Sequence, residues 1–98
     1  MDKLSQFRQR IDAIDEKIVT LIHERLGICR EVAVYKSENQ IPMMQPERVK
    51  EVLERRRKLA ADLELNPEMI KEIYALIVKE ACIIEDEIID SLAQKANK

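Results

Sequence analysis

Apolar residues recur along the first third of the chain at the spacing of one helical face. At about 100° per residue, Phe7, Ile11, Ile14, Ile18, Leu21, Ile22, Cys29, Val32 and Ala33 share one stripe, predicting a helix from about Leu4 to Ser37. Two cations, Arg25 and Lys36, fall near the middle of that stripe. The residues three and four positions either side of Arg25 are Leu21, Ile22, Ile28 and Cys29, so no local counter-charge is offered. Burying an unpaired cation costs several kcal/mol, so these residues are either ion-paired core or face a ligand. Arg8 lies at the edge of the stripe, whereas Arg10, Lys17, Glu24, Arg30 and Glu31 point away as solvated surface.

The pattern stops in Ser37-Glu38-Asn39-Gln40-Ile41-Pro42, where proline removes a donor and biases Ile41 away from helix. A second helix is expected from Pro46, with Glu47 suiting its N-terminal dipole. Val49, Val52, Leu53, Leu59, Ala60 and Leu63 are its expected inward residues. Arg55-Arg56-Arg57-Lys58 reads as a solvated face with one member paired, and Arg48 sits in the first turn beside the loop that follows Lys36. Asn66 as cap and Pro67 at the first position open a third helix running to about Gln94, ahead of a polar, frayed tail over 93–98. Ile70, Ile73, Ile77, Ala81, Ile84 and Ile88 form its main stripe, and Val78, Cys82 and Ile89 add a flank, as expected of a central helix covered on two sides. Glu80 and Glu85 are both flanked by apolar residues one turn away, and spacing does not choose between them.

A helix of about 34 residues rises roughly 50 Å, while a compact chain of this length has a radius of gyration near ~13 Å. The rod overhangs its own domain, and a second copy of the chain is the economical cover, giving a symmetric helical homodimer. The 98 residues make one domain, 1–98, leaving no room for an appended regulatory domain. With one Gly and 3% aromatics, the composition is that of an all-α fold. A formal charge of −2 and the scarcity of stacking rings argue against nucleic acid. No apolar run is long enough for a membrane span and no signal-peptide pattern opens the chain, so a cytoplasmic protein is expected. Cys29 and Cys82 read as packed thiols, and with His23 the only histidine no metal site is expected. No Gly-rich phosphate loop or nucleophile system is found. The seam cations therefore describe a pocket for a small polyanion, or else a strut paired with Glu80, Glu85 or Asp15.

The runs Phe7-Arg8-Gln9-Arg10-Ile11-Asp12-Ala13-Ile14-Asp15-Glu16-Lys17-Ile18, Glu24-Arg25-Leu26, Tyr35-Lys36 and Pro46-Glu47-Arg48-Val49, in that order, resemble the all-α class of chorismate mutases over essentially the whole chain. The resemblance implies an intertwined dimer with two equivalent sites, in which Arg8 comes from the partner chain and Arg25, Lys36, Arg48 and Glu85 from the main chain. It implies conversion of chorismate to prephenate without cofactor or metal. Arg8 and Arg25 would clamp the two carboxylates of a small dicarboxylate substrate. Lys36 and Glu85 would serve the ether oxygen as catalytic donors, and Arg48, Gln45, Val49 and Ala81 would line the substrate.

This chain departs from the family where many relatives carry glutamine: Glu85 donates only when protonated. Burial among Ala81, Cys82, Ile88 and Ile89 would favour the protonated acid and Lys36 the carboxylate. Val49 and Gln45 also stand where many mutases place acids, which puts recognition of the ring hydroxyl in question. The same scaffold carries isochorismate pyruvate-lyases, which the Pro-Glu-Arg-Val string resembles. It also carries 4-amino-4-deoxychorismate mutases, with which Ile41-Pro42-Met43-Met44-Gln45-Pro46 and Glu80-Ala81-Cys82 are compatible. A non-enzymatic dimerisation or regulatory module is the remaining alternative.

Overall fold

In a computed structural model, which describes residues 2–43 and 45–96, the chain is three helices: α1 (Lys3–Glu38), α2 (Pro46–Asp62) and α3 (Pro67–Ala96). No strand occurs among the described residues. Met44 of the first connection and the last two residues of the polar tail lie outside them, while the tail up to Ala96 is helical rather than frayed.

Each helix begins and ends for a local reason. Asp2 caps α1, its carboxylate accepting the Ser5 N–H at 2.7 Å, and that bond holds the Asp2 carboxyl below the usual 3.8. Pro46 opens α2 at a position where no N–H is missed. The Asn66 side chain accepts the N–H groups of Glu68 at 3.0 Å and Met69 at 3.3 Å, as the sequence predicts for the start of α3. Both α1 and α2 end in a left-handed residue, Gln40 (φ 55°) and Glu64 (φ 60°), without the glycine that such a position favours. After α1, the Ile41 N–H reaches back to the Lys36 carbonyl at 2.9 Å. After α2, the Leu65 N–H reaches the Ala60 carbonyl at 2.8 Å. These bonds satisfy helix-end carbonyls and reverse the chain tightly.

Helix α3 is central, packing against both α1 and α2, which do not approach each other. Among the described residues, the buried apolar ones are small: Ala33, Val52, Ala60 and Ala81. Short side chains let the helices come close, so the core of one chain is a thin seam along α3. Leu59, Leu63 and Ile73, expected to point inward, are instead 52%, 63% and 42% exposed, on sides of α2 and α3 that no helix of the same chain covers.

The predicted overhang is present. The molecule extends 62 × 30 × 15 Å with a radius of gyration of 17.7 Å, well above the ~13 Å of a compact chain this long. Over the first half of α1, Leu4, Phe7, Ile11, Ile14 and Ile18 are all exposed. Among the described residues, no helix is long and apolar enough to cross a membrane.

Candidate active site

Because α1 and α2 both pack on α3 but not on each other, a gap remains between them. It forms a cavity of about 340 Å³ floored by α3, within the size range of small-molecule pockets. α1 presents Arg25, Cys29, Val32 and Lys36 to it, α2 presents Arg48, Val49, Val52 and Arg56, and α3 presents Val78, Ala81, Cys82 and Glu85. Met43 and Gln45 close it from the connection after α1.

The two seam cations have different fates. Lys36 is paired: its Nζ donates to Glu85 Oε1 at 3.0 Å and to the Met43 carbonyl at 2.9 Å. The Lys36 and Glu85 side chains are only 16% and 10% exposed, and Glu85 is the buried polar residue of the core. Glu80, which the sequence leaves equivalent, is exposed. Arg25 is half-buried in the cavity wall, and no carboxylate of the described residues lies within ion-pair distance of it. Of the two seam cations, Lys36 has a counter-charge within the chain, and Arg25 has none among the described residues.

Arg48 stands at the solvent-facing rim, 57% exposed, with its guanidinium on Glu51 at 2.6 Å. Gln45 is exposed at the same rim, Val49 is half-buried, and Ala81 lies buried in the floor. Arg8 is not brought to the cavity. It is exposed on the free part of α1, 17 residues before Arg25, about 25 Å along the axis at 1.5 Å per residue.

The basic run of α2 is more differentiated than the sequence suggests. Two members rather than one are paired: Arg55 with Glu51, and Arg57 with Glu54 and, at 2.8 Å, with Glu68. Arg56 is half-buried and lines the cavity. Spacing could have revealed it, since Val49, Val52 and Arg56 stand at i, i+3 and i+7 on one face, but its charged neighbours mask that register.

Cys29, on the α1 wall, and Cys82, on the α3 floor, are free, half-buried thiols lining the cavity. Burial pushes the Cys82 thiol up, with the Glu85 carboxylate adding to the effect and Lys36 opposing it. It is a packed thiol rather than an activated nucleophile.

The arrangement sets four cations, Arg25, Lys36, Arg48 and Arg56, against one carboxylate, Glu85, on walls otherwise mainly apolar. Such a cavity can hold and orient a small polyanion and place donors against developing negative charge.

A family model described as chorismate mutase type II matches residues 7–86 of the chain. The chain is 38% identical over 90 residues to a 4-amino-4-deoxychorismate mutase of Streptomyces pristinaespiralis, covering 92% of this chain and 70% of the relative. It is 34% identical over 85 residues to a 4-amino-4-deoxychorismate mutase of Streptomyces venezuelae, covering 87% and 82%. It is also 30% identical over 98 residues to a chorismate mutase of Methanocaldococcus jannaschii, covering 100% and 99%.

Proposed function

Because the chain belongs to the chorismate mutase type II family, we propose that it is a cytoplasmic isomerase that rearranges chorismate to prephenate in this cavity, completed by a second copy of the chain. The observation that carries the reading is the excess of cations in a mainly apolar pocket, with Arg25 left without a carboxylate. The reaction breaks one carbon–oxygen bond as one carbon–carbon bond forms, within a single molecule, so the protein needs neither nucleophile nor proton acceptor. Its work is to fold the dicarboxylate into its reactive conformer and to stabilise negative charge on the departing ether oxygen. Arg25 holds one carboxylate and Arg8 of the second copy the other. Lys36 spends two N–H groups on Glu85 and Met43, which fixes its ammonium and leaves the third for the ether oxygen. Glu85, when protonated, is the second donor. Arg48, Gln45 and Val49 face the ring substituent, over Ala81 in the floor.

The bare stripe of α1 supports the homodimer. Five large apolar residues from Leu4 to Ile18 are 44–56% exposed, an apolar face that a second chain would cover while bringing Arg8 to the neighbouring cavity. Sedimentation equilibrium of the purified chain tests this, and a monomer at micromolar concentration refutes it.

A second reading, 4-amino-4-deoxychorismate as substrate, is favoured by two relatives bearing that name and by the sequence segments Ile41-Pro42-Met43-Met44-Gln45-Pro46 and Glu80-Ala81-Cys82, which are compatible with that subgroup. Against it, an ammonium on the substrate would meet four cations and one carboxylate already engaged by Lys36. Parallel kinetics with chorismate, isochorismate and 4-amino-4-deoxychorismate decide. The highest kcat/KM is expected for chorismate, and a higher value for either other substrate overturns the assignment.

A further inference from the structure

Arg56 is the charged residue of the cavity that the mechanism above does not use. Its neighbours in sequence, Arg55 and Arg57, are exposed and ion-paired with Glu51, Glu54 and Glu68. Arg56 is half-buried, and no carboxylate of the described residues lies within ion-pair distance of it. Its guanidinium instead lies 5.6 Å from the centroid of the Tyr74 ring. A ring contact of this kind steadies the guanidinium while leaving its edge N–H groups free to form a fork with a carboxylate.

The register of the helices places this group. The Lys36–Glu85 bond joins the end of α1 to the later part of α3, whereas Arg57 and Arg56 meet Glu68 and Tyr74 in its first turns. α2 thus runs antiparallel to α3, and Arg56 lies eight residues, about 12 Å, further along α2 than Arg48. Arg25 lies 11 residues, about 16 Å, back along α1 from Lys36. One end of the cavity holds Lys36, Glu85 and Arg48, and the other holds Arg25 and Arg56 on facing helices. Two half-buried guanidiniums at one end of an apolar pocket call for an anion between them.

We propose that Arg56 is a substrate-binding residue which, with Arg25, holds one carboxylate of the dicarboxylate substrate at the end of the cavity away from Lys36 and Glu85, with Tyr74 as the positioning residue that steadies its guanidinium. This rests on the reading of the cavity as a chorismate-type site.

The test uses the full chain with Arg56→Gln, Arg56→Lys and Tyr74→Leu. Steady-state kinetics are measured with whichever of chorismate or its 4-amino analogue the wild type turns over. The Kd of prephenate, itself a dicarboxylate, is measured by calorimetry, and melting temperature and sedimentation are followed alongside. Loss of a charge-assisted fork predicts that Arg56→Gln raises KM and the prephenate Kd about tenfold or more. kcat should change less, with Tm and oligomeric state unchanged. Arg56→Lys restores charge without the fork and should recover only part of the loss, and Tyr74→Leu should raise KM by about threefold. KM and Kd within twofold of wild type for Arg56→Gln overturn the proposal. So does a rise that comes only with a lowered Tm or a dissociated assembly, which would make Arg56 a strut. Wild-type binding of prephenate without turnover of any substrate removes the catalytic reading, and the Kd series still decides on Arg56. A wild type that neither binds prephenate nor turns over removes both.

Discussion

The Lys36–Glu85 pair offers the sharpest separation of structural from catalytic roles. With a contact of 3.0 Å and side chains 16% and 10% exposed, it is nearly buried, yet it opens on a cavity that water can enter. Removing one partner of a fully buried pair costs about 3–5 kcal/mol. Here Lys36 keeps the Met43 carbonyl and some solvent, so Glu85→Ala should cost less than a fully buried pair, about 2–3 kcal/mol, which for a domain this size is a Tm drop of roughly 10 °C or more. Glu85→Gln retains an oxygen for the ammonium and loses only its charge, about 1 kcal/mol, or some 4–8 °C. Catalysis is read separately from stability. Glu85→Gln keeps a group that can donate to the ether oxygen and should hold kcat within about tenfold of wild type, whereas Glu85→Ala should lose about 10²–10³ in kcat. Chorismate loss followed by absorbance, alongside thermal melts, measures both. A Glu85→Ala variant whose kcat falls no further than that of Glu85→Gln would refute the donor role and leave Glu85 as the anchor of Lys36.

Further predictions concern the helix ends and the unpaired seam cation. Arg25→Ala should lower kcat/KM by at least about a hundredfold while moving Tm by no more than a few degrees, because no ion pair is broken; a large Tm loss with retained turnover would make Arg25 a strut. Glu64→Gly should stabilise the chain by about 1 kcal/mol in urea unfolding, since a non-glycine residue at φ 60° carries strain that glycine lacks; an unchanged or lower midpoint contradicts this. The Asp2 carboxylate, depressed by the Ser5 N–H, supports the start of α1 above the ordinary 3.8 and loses that support as pH falls through its lowered value. The Ser5 amide resonance should therefore titrate below 3.8 in the wild type and not in Asp2→Ala, and an Asp2 that titrates at or above 3.8 refutes the cap.

By itself the sequence determined the helices, since their causes are local. Stripe periodicity, the Asn66 cap and the prolines at 42, 46 and 67 act within a few residues, and the structure adds Asp2 as the cap of α1. It also determined the overhang, because rise per residue against chain length is arithmetic, and it marked Arg25 and Lys36 as anomalies because an apolar stripe makes a cation visible. What it could not decide are relations across helices. Glu80 and Glu85 have equally apolar neighbours on α3, and only the seating of α1 and α2 buries Glu85 and leaves Glu80 in solvent. Lys36 is paired and Arg25 is not because Glu85 sits 49 residues away in sequence but 3.0 Å away in space. Arg56 shares a face with Val49 and Val52, but in a run of four cations that register is masked, and the structure separates it from Arg55 and Arg57, which pair with Glu51, Glu54 and Glu68. Periodicity fixes the face of a helix on which a side chain lies; which other helix stands opposite that face is fixed by packing, and there the chemistry of the cavity is decided.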